Sequence, residues 1–280
     1  MGILRTRMDQ DLLVRGRSAN TREGYLRVVA DLARYHHRSP DQLSEGEVQQ
    51  YLVHLIEERQ LAWSSCRVAV AALRFFYEVT LGRVRATYTV PLPKGAQKLP
   101  EILSREEVAR LLVSVANRKH RALLMTTYAG GLRVSEVVRL RVTDIDSQRM
   151  VIRVEQGKGR KDRYTLLSPR LLEELRAYYR IYRPTEWLFP ARGTTGPMGR
   201  GSAQSIYNAA KARAGIRKQG SIHSLRHAFA THLVESGADV VTLQSLLGHG
   251  NIKTTMRYLH LSAPHVAAHV SPFDQLPPLS

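Results

Sequence analysis

The sequence predicts a mainly α-helical protein in two parts, an N-terminal helical bundle and an α+β domain carrying a small antiparallel sheet. Three observations carry this. Apolar residues recur at helical spacing through most of the 280 residues, the period shifts to two only near residues 150–167, and a proline-bearing basic stretch at 83–100 separates the parts. With 43% hydrophobic residues, the chain has enough apolar surface for a core.

Residues 1–82 read as a helical domain. Asn20 and Glu23 suit a capping box ahead of Tyr25, Val28, Val29, Leu32 and Tyr35. Ser44 and Glu47 form a second box ahead of Val48, Tyr51, Leu52, Leu55 and Ile56. A third helix follows Ser65, with Val68, Ala72, Phe75, Phe76 and Val79 on one face and Gly82 as its C-terminal cap. Residues 83–100, RVRATYTVPLPKGAQKLP, suit an extended basic linker, and the residues do not say whether it tracks a partner or only joins domains.

Residues 101–280 form the second domain. Ser104 and Glu107 cap a helix whose buried side is Val108, Leu111, Leu112 and Val115, and a further helix runs over about 119–128. Met150, Ile152 and Val154 then alternate with Val151, Arg153 and Glu155, and Gln-Gly-Lys-Gly turns the chain into Arg163–Leu167, which is a β-hairpin pattern. From residue 170 the pattern is helical again, apart from a Gly-rich loop at 192–202.

Charge narrows the function. The chain has 42 Lys+Arg against 24 Asp+Glu, a formal net charge of +18. Residues 1–90 hold 13 basic and 10 acidic residues, which leaves 29 and 14 for residues 91–280. So concentrated an excess predicts a polyanion partner, because neutralising phosphates releases counterions. A solvated surface or ribosome association would carry the same charge. There is no apolar run of about 18 residues for a membrane span and no apolar core for a signal peptide, and the single cysteine, Cys66, cannot form an internal disulfide. The expected location is cytoplasmic.

Three segments bear chemistry. AGGLRVSE (129–136) sets Arg133 and Glu136 three apart, with Gly130 and Gly131 allowing close packing at a helix start; GKGRKDR (157–163) puts Lys158 at the hairpin tip; HSLRH (223–227) is followed by LLGH (246–249) and TMRY (255–258). Singly each has an ordinary explanation: a surface ion pair, an exposed lysine, a solvated His-x-x-Arg, a half-buried tyrosine. In this order they are hard to dismiss. Arg133, Lys158, His223, Arg226, His249 and Tyr258, each in its local context, resemble the catalytic set of the tyrosine recombinase (phage-integrase) family. The N-terminal bundle resembles that family's core-binding, SAM-like domain, so the resemblance spans nearly the whole chain. One small departure is Ala-Gly-Gly before Leu132, where the family often has Ala-Thr-Gly.

The resemblance implies a site-specific DNA recombinase, serving integration, excision, transposition or dimer resolution. Tyr258 would be the nucleophile, giving a 3′-phosphotyrosine and a free 5′-hydroxyl; the covalent link preserves the bond energy, so neither a cofactor nor ATP is needed. Arg133 and Arg226 would clamp the phosphate oxygens, His249 would donate to the same charge, Lys158 would protonate the leaving oxygen, and His223 would assist proton transfer at Tyr258. Glu136 either orients a catalytic residue or lies on a helix surface. No His-Glu-x-x-His or Cys cluster calls for a metal. The family also implies double-stranded DNA as partner, a homo-tetramer in the synaptic complex, nucleoid association, and a C-terminal tail that docks on a neighbouring protomer or packs locally; an accessory protein stays open. Rival readings are a type IB topoisomerase-like enzyme, a DNA-binding regulator without catalysis, and an RNA-binding or ribosomal protein. The compact chain suits a Xer-like recombinase or a mobile-element integrase or transposase.

Overall fold

The computed structural model describes residues 2–83, 101–155, 162–248 and 255–256. The chain divides into two compact units, Met1–Gln97 and Lys98–Ser280. Among the described residues no helix is long and apolar enough to cross a membrane.

The first unit contains α1 (Gly2–Val14), α2 (Ala19–His36), α3 (Glu45–Glu57) and α4 (Trp63–Phe75), the last running into a π-helical turn, Phe76–Thr80. Its core is formed by Met8, Leu12, Leu32, Val48, Leu52, Leu73, Phe76 and Tyr77. The Tyr77 hydroxyl donates to the Pro40 carbonyl at 2.7 Å, satisfying a buried polar group. Arg22 clamps Asp9 through two bonds of 2.8 and 2.7 Å, joining α2 to α1. The Ser44–Glu47 box caps α3: Ser44 N–H donates to Glu47 and Glu47 N–H to Ser44 Oγ.

Three local expectations change here. The helix expected to start at Asn20 is capped two residues earlier by Ser18, which is extended at φ −62° and accepts the Thr21 N–H. Asn20 already lies inside α2, so the apparent Asn20–Glu23 box is helix interior. The third helix, expected to follow Ser65, already starts at Trp63 behind Ala62, so Ser65 is helix interior. Val68, expected on the buried side of α4, is 49% exposed. The buried stripe runs through Ala69, Leu73 and Phe76, and Val68 falls one residue, about 100° of helical turn, to its side.

The second unit contains α5 (Arg105–Val113), α6 (Arg118–Ala129), α7 (Val134–Val137), β1 (Ile145–Asp146), β2 (Val151–Val154), β3 (Arg163–Leu166), α8 (Pro169–Tyr182), α9 (Arg200–Arg213), α10 (His223–Glu235) and α11 (Val240–Leu247). The sheet is antiparallel in the order β1-β2-β3, with Ile145 opposite Ile152 and Ile152 opposite Thr165. Ile152 and Val154 face the core, as the alternation predicts; Met150 stands outside the strand in a left-handed conformation, φ 54°. β1 was not expected, since two residues are too few to show a period. The expected turn at 156–159 lies outside the described residues, and the loop expected over 192–202 gives way to α9 at Arg200.

Gly130 and Gly131 end a helix rather than start one. Gly130 caps α6, Gly131 is left-handed at φ 58°, and the two closing bonds, Gly131 N–H to Tyr128 and Leu132 N–H to Thr127, make a Schellman turn. That turn delivers Arg133 to the N-cap of α7. The main core, around Leu111, Leu123, Leu132, Ile152, Tyr178 and Leu225, lies beneath it.

Candidate active site

Arginines converge on one carboxylate. Glu136 in α7 is buried; its Oε2 accepts the backbone N–H of Arg133 at 2.8 Å and its Oε1 accepts Arg133 Nη1 at 2.6 Å. Arg163, the first residue of β3, forks onto the same carboxylate, Nη1 to Oε1 at 3.0 Å and Nη2 to Oε2 at 2.8 Å. Arg226 Nη1 lies 3.7 Å from Oε2. Burial pushes the Glu136 carboxyl up, but the Arg163 fork and charge, the Arg133 N–H and the Arg133 charge outweigh it and hold the group at about 2. It is ionised at neutral pH. The arrangement is one buried anion among three cations, leaving positive charge in excess.

The arginines are fixed a second time by the end of α11. Arg163 Nε donates to the Leu246 carbonyl at 2.9 Å, Arg226 Nη2 to Leu247 at 2.7 Å, and Arg133 Nη2 to Gly248 at 3.4 Å. Three successive carbonyls that a helix terminus leaves without intrahelical donors are thus met by three guanidinium groups, where the helix dipole is negative. Gly248 is left-handed, φ 62°. Arg226, 2% exposed, also donates from Nη1 to the Gly131 carbonyl at 2.6 Å.

His223 opens α10 one turn before Arg226 and is half-buried. Burial lowers its pKa, the charges of Arg226 and Arg133 lower it further, and Glu136 opposes them. Its ring meets that of His227 edge-on at 5.7 Å.

Of the residues singled out in the sequence, the structure brings Arg133, Glu136, His223 and Arg226 to one place. Lys158, His249 and Tyr258 lie outside the described residues. Glu136 is not on a helix surface. Arg163 was not singled out: it belongs to the GKGRKDR segment, and nothing in that basic run separates it from the other basic residues there. Cys66 is buried in the first unit. Among the described residues no group of three or more His, Cys, Asp or Glu side chains could hold a metal ion.

A preformed arginine cluster with an imidazole of lowered pKa beside it defines a centre for handling a phosphate-like anion. The chain matches the Phage integrase family over residues 101–265 and the Phage integrase N-terminal SAM-like domain over residues 4–85. It is 51% identical to y4qK of Sinorhizobium fredii, provisionally named an integrase/recombinase, over 98% of this chain and 89% of that one. It is 32% identical to the tyrosine recombinase XerD of Caulobacter vibrioides over 90% of each chain. Its fold is that of the XerH site-specific recombinase bound to its difH substrate, with a TM-score of 0.70 at 20% identity over 93% of this chain and 82% of that one. The chain belongs to the phage integrase family, and it is a tyrosine-type site-specific DNA recombinase.

Proposed function

We propose that the chain exchanges DNA strands by a metal-independent transesterification through Tyr258. The observation that carries this is the convergence of Arg133, Arg163 and Arg226 on Glu136, with His223 one turn from Arg226 on α10. Duplex DNA is the partner. The excess of basic residues after residue 90 suits it, and a protein of the same fold, the Tn1549 transposon integrase, is seen in complex with transposon right end DNA.

Arg133 and Arg226 receive the non-bridging oxygens of the scissile phosphate, whose negative charge grows as the nucleophile approaches. Tyr258 Oη attacks phosphorus, its proton passing to His223, which is kept neutral by its surroundings. The bond from phosphorus to the 5′-oxygen breaks as the phosphotyrosine bond forms. Lys158 gives that oxygen its proton, and His249 donates to the phosphate. Rejoining reverses these steps with a new 5′-hydroxyl. Residues 1–82 act as a core-binding domain, 83–100 as a basic linker and 101–280 as the catalytic domain with its tail. Exchange between two duplexes needs four active protomers, so the working form is a homo-tetramer on DNA, in the cytoplasm.

The test is covalent capture. Purified protein is mixed in EDTA with nicked suicide duplexes tiled from the DNA flanking its gene, beside Tyr258→Phe. A denaturant-resistant adduct with wild type alone is the expected result. An adduct that survives Tyr258→Phe removes that residue from the role.

A further inference from the structure

Arg163 has no part in the chemistry above, yet it ties the Glu136 carboxylate to the end of α11. It opens β3, grips both oxygens of Glu136 and bonds to the end of α11 at Leu246. Gly248 is packed on it so closely that an added Cβ would lie 2.7 Å from Arg163 Cδ. A carboxylate offers about four lone-pair positions. On Glu136 these are met by the two nitrogens of the Arg163 fork, by Arg133 Nη1 and by the Arg133 backbone N–H. Arg226, at 3.7 Å, is left outside hydrogen-bond reach of the carboxylate and donates to the Gly131 and Leu247 carbonyls instead. If the Arg163 fork were removed, half of the carboxylate's acceptor positions would open beside Arg226 in a buried setting where an unmet charge is costly. Glu136 would then turn toward Arg226, and both Arg133 and Arg226 would leave their present positions.

We propose that Arg163 is a positioning residue for strand cleavage, setting the Arg133 and Arg226 guanidinium groups through the Glu136 carboxylate and the Leu246 carbonyl. The proposal rests on the reading of Arg133 and Arg226 as the phosphate clamp. It requires a bidentate, planar donor at residue 163, so lysine cannot replace arginine there. It also separates this role from Lys158, which belongs to the same GKGRKDR segment of the sequence and is assigned to the leaving oxygen.

The experiment measures single-turnover cleavage by the full chain at saturating duplex, with DNA affinity and urea midpoint alongside. Arg163→Ala and Arg163→Lys are compared with wild type on an ordinary suicide duplex and on one whose bridging 5′-oxygen is replaced by sulfur. A thiolate leaves without protonation, so the sulfur substrate does not need the acid assigned to Lys158. Both variants are expected to bind DNA nearly as wild type does and to cleave about 10- to 100-fold more slowly, by equal factors on the two substrates. Added guanidinium ion is expected to recover part of the Arg163→Ala rate and to leave wild type unchanged. If Arg163→Ala does not fold, Arg163→Lys carries the test. Wild-type cleavage by Arg163→Lys overturns the proposal. So does recovery on the sulfur substrate alone, which would place Arg163 behind the leaving-group acid. Failure of the clamp reading is read separately: Arg133→Ala and Arg226→Ala would then cleave both substrates normally.

Discussion

Gly131 and Phe229 stand so close that no side chain fits between them: a Cβ on Gly131 would lie 2.3 Å from Phe229 Cδ1. Gly131 is also left-handed and carries the carbonyl that accepts Arg226 Nη1. Gly131→Ala therefore combines a left-handed alanine with overpacking of the Phe229 ring, costing about 2 to 5 kcal/mol together. Urea unfolding is expected to show a lower midpoint at an unchanged slope. Because the same peptide anchors Arg226, cleavage should fall even at temperatures where the variant remains folded. Wild-type stability would show that the ring moves aside at little cost.

Glu136 predicts an acid limb of stability. Its carboxyl sits at about 2 against an ordinary 4.5. A depressed carboxylate stabilises the fold fully above the unfolded value, and the stabilisation is lost as pH falls from 4.5 toward 2. Its size is about 3 kcal/mol. Glu136→Gln removes this titration while leaving buried arginines without their anion, so the variant should be about 3 to 5 kcal/mol less stable at neutral pH. Stability measured against pH should then converge with wild type in acid. Parallel curves for the two proteins over that range would refute the assignment.

The parts of this protein legible in the sequence were those written locally. The Ser44–Glu47 and Ser104–Glu107 boxes can be read from four residues each, and Ile152 and Val154 from a period of two. The site is different in kind. Arg133 and Arg226 stand out because each sits in a motif with its own context. Arg163 is one arginine in a basic run, and its importance comes from a carboxylate 27 residues away and a carbonyl 83 residues away. No local pattern encodes such pairings. Glu136 was ambiguous for the same reason: spacing alone does not distinguish a helix-surface pair from a buried anion. The Gly130–Gly131 pair was assigned to the wrong end of a helix because glycine serves close packing and helix termination alike, and only the Schellman bonds decide between them.

The displaced cap of α2 gives a direct comparison. Ser18 accepts the Thr21 N–H, whereas Asn20 lies within the helix. Ser18→Ala should cost about 1 kcal/mol. Asn20→Ala should change stability by less than about 0.5 kcal/mol in either direction. Thermal or urea unfolding of the two variants settles the order, and a larger loss at Asn20 would restore the sequence-based boundary.

His223 links electrostatics to rate. Burial lowers its pKa below 6.5, and Arg226 and Arg133 add to that against the opposing charge of Glu136. For stability the sign is that of a histidine disfavoured as a cation: the contribution is complete above 6.5 and declines as pH falls toward the lower folded value. For catalysis, the neutral ring persists at a pH where an ordinary histidine would already be protonated. The acid limb of single-turnover cleavage should therefore lie below the pH that an ordinary histidine would set. His223→Gln keeps a hydrogen-bonding side chain and cannot titrate. It should lower the rate by about 100-fold and flatten the acid limb. If the limb survives in His223→Gln, another group sets it, and proton transfer at Tyr258 must be assigned elsewhere. If the wild-type limb instead lies above 6.5, the imidazole is more easily protonated than its surroundings imply, and the excess positive charge of the arginine cluster is being offset by an anion in the site.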